Sequence, residues 1–296
     1  MSSKYWIGVD WGTSSLRVAR FENQKVIEER SNDQGIMRVP SGGFKQTLQN
    51  LCADWLQDDT RVLISGMAGS AQGWALAPYC PCPANAKDIE QHLIWIEPQK
   101  IAIVPGLVCE HAHAPDVMRG EEVQIFGALQ LLQLQDATIV LPGTHSKWVR
   151  VDKGRIMHFE TFMTGEVFAA LRSYTILSRT LPTLDSPSNW NDTGFDQGVA
   201  LSLQQHSLLH TAFSTRTLSL LQRNDDAFLL SYLSGLVIGE EIRAQHLKPG
   251  QSLVVIASDQ LQTRYQRALQ HLGCAVTCIG NQATWAGLST VAQSIS

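Results

Sequence analysis

No block of lysines and arginines occurs in this chain: 23 basic and 27 acidic residues are scattered along 296 positions, giving a formal charge of −4. Binding nucleic acid requires a clustered positive surface to neutralise phosphates, so that class of partner is not expected. Long apolar runs are missing too. Crossing a bilayer takes about 18 or more consecutive apolar residues, whereas the best stretch, 227–238, is shorter and contains Ser231 and Ser234. No membrane partner is expected. The N-terminus runs from Tyr5 to Val9 straight into Asp10, without the apolar core or small-residue cleavage site of a secretory signal. That predicts a cytoplasmic protein. The six cysteines have spacings (Cys80 and Cys82, Cys274 and Cys278) that match neither structural zinc nor a thioredoxin-like pair, so free thiols are expected.

What the chain has is ordinary globular material. Hydrophobic residues make up 44%, enough for a sizeable core. At about 150 residues per domain the length suggests two domains. The pattern of elements places the boundary between residues 134 and 135, giving domains 1–134 and 135–296.

The order of elements repeats. Residues 5–9 form an apolar run that ends in Asp10-Trp11-Gly12-Thr13-Ser14-Ser15, with a second strand from Leu16, a turn at Glu22-Asn23 and a third strand over 25–29. A helix follows, with Phe44, Leu48, Leu51 and Trp55 at helical spacing. Further on, residues 137–141, the loop Pro142-Gly143-Thr144-His145-Ser146, residues 147–151, the turn Asp152-Lys153-Gly154 and residues 155–162 run in the same sequence. The offset is about 131 residues, with Gly12 on Gly143, Thr13 on Thr144 and Asn23 on Gly154. We read this as a duplication. Strands alternating with helices, including a long helix over 226–244, predict α/β sheets flanked by helices.

Paired Gly-Thr loops suit a polyanion, because glycine lets backbone N–H groups approach phosphate oxygens closely. Gly12, Thr13, Ser14 and Ser15 are the candidates in the first half, and Gly143, Thr144, His145 and Lys147 in the second. Asp10, which corresponds to Leu141 in the other copy, is the one carboxylate beside a loop. It suits Mg²⁺, an ion often held by one or two carboxylates, waters and phosphate oxygens; a turn-capping role is the alternative.

A second concentration is Asp116-Val117-Met118-Arg119-Gly120-Glu121-Glu122, which precedes a helix. Acids in a first turn are stabilised by the helix dipole, which explains the Glu-Glu pair structurally. The same position, after a long loop over 106–116, also suits a general base (Glu121) and an anion-binding Arg119. The small residues of 65–73, including Gly69 and Ser70, leave room for a ligand near the backbone. Trp74 suits sugar stacking or core packing equally, Arg38 could clamp a carboxylate, and Thr164-Gly165-Glu166 reads as an N-cap.

With these residues in place, Val9-Asp10-Trp11-Gly12-Thr13-Ser14-Ser15-Leu16-Arg17 resembles the first phosphate loop of the actin, hexokinase and Hsp70 ATPase superfamily. Together with Gly66-Met67-Ala68-Gly69-Ser70, Val104-Pro105-Gly106-Leu107, Leu141-Pro142-Gly143-Thr144-His145-Ser146-Lys147-Trp148, Phe162-Met163-Thr164-Gly165-Glu166 and Tyr232-Leu233-Ser234-Gly235, the chain resembles the 2-dehydro-3-deoxygalactonokinase family nearly throughout. The resemblance implies two ribonuclease-H-like domains with mixed sheets and an interdomain cleft. It also implies transfer of the ATP γ-phosphoryl to the terminal hydroxyl of 2-dehydro-3-deoxy-galactonate, with Mg²⁺. Catalysis then falls to Glu121 and Asp10, with Asp10 on the metal. Nucleotide contacts fall to Gly12–Ser15, Gly143, Thr144, His145, Lys147 and Ser258, and sugar-acid contacts to Arg38, Gly69, Ser70, Arg119 and Glu122. The family's glycine-containing turn before Leu-x-x-Arg-Tyr is here Ala257-Ser258-Asp259, without glycine. A nucleotide-dependent sensor and a polyphosphate hydrolase are the competing readings, and a homodimer is left open.

Overall fold

In the computed structural model, which describes residues 5–181 and 190–295, the chain opens with a meander of β1 (Tyr5–Trp11), β2 (Leu16–Glu22) and β3 (Lys25–Asn32), then α1 (Phe44–Cys52) and β4 (Arg61–Gly66). Next come β5 (Cys80–Pro81), α2 (Ala86–Gln91), β6 (Ile94–Glu97), β7 (Ile101–Ile103), β8 (Leu107–Cys109), β9 (Asp116–Met118) and α3 (Glu121–Leu132). The repeat follows as β10 (Ala137–Leu141), β11 (Ser146–Asp152), β12 (Arg155–Phe162) and α4 (Thr164–Tyr174). The remainder is α5 (Asp192–Ser202), α6 (Leu208–Leu220), α7 (Asp226–Ala244), β13 (Ser252–Ile256), α8 (Asp259–Gln270), β14 (Ala275–Ile279) and α9 (Gln282–Ser294).

One sheet has the order β3-β2-β1-β4-β7-β6 and another β12-β11-β10-β13-β14. Both therefore put the meander first, in reverse order, and then add later strands beside its opening strand. In the first sheet the meander is antiparallel, while β1 pairs β4 in parallel with Asp10 opposite Ser65 and Trp11 opposite Gly66. Parallel pairing brings the carboxyl ends of β1 and β4 to one edge, where α/β sheets bind ligands.

The chain divides into two compact units: residues 1–139, 149–160 and 279–296 form one, and residues 140–148 and 161–278 the other. In the first, Ile7, Val9, Trp11, Leu16 and Val18 bury their side chains with Phe44, Leu48, Val62 and Ile64. Trp74 packs against that core, stacked on Phe44 and edge-on to Trp11, so its place is structural. In the second, Val140, Trp148, Phe195, Val255 and Tyr265 share a core with Ile238 and Ile242 of α7.

The last helix, α9, belongs to the first unit and crosses α3 at backbone contact. A Cβ on Gly127 would lie 1.8 Å from the Ala283 carbonyl oxygen, and one on Gly287 1.7 Å from that of Val123. All six cysteines are free.

Two expectations need correction. The stretch 106–116 is not a plain loop: β8 and β9 pair antiparallel, with β5 parallel to β8. Strands of two or three residues leave no alternation to read. Thr164 is not the N-cap of α4 either. That position is Met163, and Thr164 turns its hydroxyl inward as the first helical residue.

Candidate functional site

In the first unit the chemistry gathers at the carboxyl ends of β1 and β4. Arg17, the register partner of Asp10 across the β1–β2 hairpin, donates through Nε to Asp10 Oδ2 at 3.0 Å, and its Nη2 binds the same oxygen. Arg17 also reaches Thr284 of α9 and lies over the Trp285 ring. Asp10 keeps a fifth of its side-chain surface exposed.

Gly66 follows β4 with φ +94°, a backbone conformation that side chains rarely adopt. A Cβ there would stand 2.7 Å from the Trp11 carbonyl oxygen and 3.5 Å from Asp10 Oδ1. Gly120 (φ +104°) sits directly against it, its Cβ position 3.3 Å from Gly66 Cα. These two glycines bring the strand-end acid and the start of α3 within a backbone's thickness of each other.

The two α3 acids then diverge. Glu121 accepts from the Arg119 N–H at 2.9 Å and stays partly exposed. Glu122 accepts from the Gly120 N–H at 2.7 Å, is fully buried, and has no partner for Oε1. Burial, reinforced by neighbouring Glu121, pushes its carboxyl up to about 8 against the opposing pull of backbone hydrogen bonds and Arg119. Glu122 therefore keeps its proton at neutral pH and locks the Gly120 turn from inside.

Arg119 spans toward the β4 loop. Its Nη2 donates to the Ala77 carbonyl at 2.8 Å, the guanidinium lies 4.5 Å from the Tyr79 ring centre, and Nη1 touches the Gly69 Cβ position at 2.8 Å. That Nη1, Ser65 Oγ and Ser70 Oγ are all buried without a partner in the protein. Buried donors and hydroxyls left unpaired cost about 1–3 kcal/mol each, so this corner of the first unit holds unmet polar capacity. Arg38 stands apart, exposed and paired with Asp33.

Both Gly-Thr loops are braced by a glycine. Gly12 N–H closes the first turn onto the Ser15 carbonyl at 2.9 Å, with Thr13, Ser14 and Ser15 exposed. Gly35 packs on it so tightly that a Cβ would meet the Thr13 oxygen at 2.3 Å, while Ile36 and Met37 donate to the Gly12 and Thr13 carbonyls. In the second unit Gly165 packs likewise on Gly143 and Thr144, and Glu166 N–H donates to the Thr144 carbonyl at 3.1 Å. Nothing stands within 4 Å of a Cβ position on Gly143, and Thr144 and His145 are exposed. An open glycine and exposed amides and hydroxyls fit phosphate oxygens. A lone strand-end carboxylate with one oxygen turned from its arginine fits a hard, largely hydrated Mg²⁺.

His145 pairs with Glu166 at 2.6 Å, both half exposed. Lys147 is buried, its Nζ donating to the His145 carbonyl. Beside this loop a crevice is lined by Gly143, Gly165, Ser234, Leu261, Arg264 and Tyr265. Ser258 stands outside that lining, exposed at the N-terminus of α8.

The model of the 2-keto-3-deoxy-galactonokinase family matches residues 10–291. The chain belongs to that family. It is 32% identical over 299 residues to the 2-dehydro-3-deoxygalactonokinase of Escherichia coli K12, covering 100% of both. A crystal structure from Sinorhizobium meliloti with the same family designation superposes with a TM-score of 0.91 at 34% identity, over 98% of this chain and 99% of that one. Component A of (R)-2-hydroxyglutaryl-CoA dehydratase from Acidaminococcus fermentans shares the fold alone, with a TM-score of 0.54 at 11% identity over 99% of this chain and 100% of that one.

Within this member of the galactonokinase family, sequence reasoning missed two residues. Arg17 was legible, because a hairpin closing over residues 12–15 makes 10 and 17 register partners. Glu241 was not: beside Glu240 and Arg243 it reads as one more charge at the C-terminal end of α7.

Proposed function

We propose that the protein transfers the γ-phosphoryl of ATP to the terminal hydroxyl of 2-dehydro-3-deoxy-galactonate, in the cytoplasm. The observation that carries this reading is the join of Asp10, Gly66 and Gly120 at one sheet edge, in a chain matching a sugar-acid kinase family almost end to end.

Phosphoryl transfer asks a protein chiefly for positioning and charge neutralisation, since its loose transition state leaves little covalent work. Each Gly-Thr loop by itself offers exposed hydroxyls suited to phosphate oxygens, from Thr13, Ser14 and Ser15 in the first unit and from Thr144 in the second. Asp10 would hold Mg²⁺ through water, where the ion supplies neutralisation of the phosphates. Arg17 fixes the rotamer of Asp10 for this task. Arg119 Nη1 and Ser70 bind the sugar-acid carboxylate, an oxygen pair matched to an arginine donor beside a hydroxyl. Glu121 accepts the proton of the attacking hydroxyl. Its Arg119 N–H hydrogen bond holds it at the helix start, and partial exposure leaves it reachable. Glu122 supports that turn and touches no ligand.

The test is a coupled ADP-release screen across aldonates and 2-keto-3-deoxy acids at matched Mg²⁺. ADP formation dependent on 2-dehydro-3-deoxy-galactonate is expected. Phosphate release without any acceptor, or nucleotide binding without turnover, refutes the reading.

A further inference from the structure

Glu241 is a buried carboxylate, and the established family membership gives it no task. It sits on α7 and gathers three donors from three other elements. Trp148 Nε1 of β11 donates to Oε1 at 2.7 Å, the Tyr265 hydroxyl of α8 donates to Oε2 at 2.7 Å, and the Thr164 hydroxyl of α4 donates to the same oxygen. With its proton committed to Glu241, the Tyr265 oxygen accepts from Ser146 Oγ at 2.9 Å. Ser146 Oγ in turn accepts from the Gly143 N–H at 3.4 Å.

The dipoles therefore run one way, from the Gly143 amide through two hydroxyls to a carboxylate inside the core. A chain with every donor aligned is strengthened by mutual polarisation. It begins at the glycine whose outer side is open and ends on a buried group that three donors hold in place.

We infer that Glu241 is a positioning residue for the nucleotide loop. Through Tyr265 and Ser146 it draws the Gly143 amide inward, and through Thr164 it holds the start of α4, whose Gly165 braces the same loop. Thr144 and His145 are thereby presented outward in a fixed conformation. The inference rests on the reading that this loop binds ATP phosphates.

Trp148 separates a relay from mere core support. It bonds Glu241 but lies off the path to Gly143. Tyr265→Phe and Ser146→Ala cut the path while keeping most of the packing, and Trp148→Phe spares it. The experiment measures binding of Mg²⁺ with a non-hydrolysable ATP analogue, binding of 2-dehydro-3-deoxy-galactonate, and amide hydrogen exchange of residues 143–146 in the ligand-free protein.

Losing one link of a buried hydrogen-bond chain corresponds to about a tenfold change in affinity. Tyr265→Phe and Ser146→Ala are expected to weaken the nucleotide analogue by about that factor, leave the sugar acid within about twofold, and speed exchange at Gly143. Trp148→Phe is expected to lower the melting temperature while leaving loop exchange near wild type. Unchanged exchange in both path variants, or equal loss of both ligands in all three variants, overturns the inference. If the wild-type protein fails to bind nucleotide, the proposed function falls, while exchange at Gly143 still decides whether Glu241 holds the loop.

Discussion

Glu122→Gln is expected to make the protein more stable, increasingly so as pH rises. The acid is fully buried, its Oε2 accepts the Gly120 N–H, and burial raises its carboxyl from the ordinary 4.5 to about 8. Below pH 4.5 the folded and unfolded states both carry the proton, so the group contributes no pH dependence. Between 4.5 and about 8 the unfolded chain releases its proton while the folded chain retains it. The unfolded state then binds fewer protons, and stability falls as pH increases. Above about 8 the whole gap has been lost, about 5 kcal/mol, and at pH 7 about 3 kcal/mol of it has gone.

Glutamine removes this dependence without changing the shape. Its carbonyl oxygen can still accept from Gly120, and its amide nitrogen occupies the place of an oxygen that already lacks a partner. At pH 7 a gain of about 3 kcal/mol corresponds to a melting temperature roughly 6–12 °C higher. Thermal and urea unfolding from pH 4 to 9, variant against wild type, should give curves that meet near pH 4.5 and part steadily above it. Parallel curves would show that Glu122 ionises in the fold and refute the reasoning.

Glu121→Gln should lower kcat by about 10² to 10⁴-fold, the usual contribution of a general base, while titration of a nucleotide analogue gives an unchanged Kd. Arg119→Lys loses the fork that bonds Ala77 and aims Nη1 past Gly69. Steady-state kinetics should show the sugar-acid KM raised about tenfold or more and the ATP KM little moved, in line with one charge-assisted hydrogen bond. Gly127→Ala drives a methyl into the Ala283 carbonyl where α3 crosses α9. Overpacking costs about 1–3 kcal/mol, so the melting temperature should drop, and because α3 carries Glu121, kcat should fall with it.

The meander was readable in both halves because its signals are local: apolar runs, a Gly-Thr loop and a turn at Asn23 or Gly154. The helices α5 and α6 left no comparable mark. The Gly198, Gly235 and Gly239 contacts that seat α5 on α7 look like breakers when read singly. The start of α3 was legible as chemistry, yet the division of labour between its two acids was not. Adjacent glutamates are indistinguishable in sequence, and only burial separates the partly exposed Glu121 from Glu122, whose carboxyl it raises. Lys147 shows the reverse case: its place in the loop suited phosphate, and the fold buries it with its Nζ donating to the His145 carbonyl.

The duplication also explains why the two loops are braced alike but anchored differently. Gly35 and Gly165 lie 130 residues apart, almost the offset of the loops themselves, and each presses backbone against the Gly-Thr step while the next segment donates to its carbonyls. A shared ancestor would supply that brace once, to both copies. Anchoring then followed the strand that precedes each loop. The first copy carries Asp10 one residue before the end of β1, where Arg17 binds and orients it. The second ends β10 in apolar Leu141, and the nearest acid linked to its loop is Glu241 of α7, reached through two hydroxyls. One loop has a partly exposed carboxylate beside it, and the other has a buried carboxylate behind it, linked through hydroxyls.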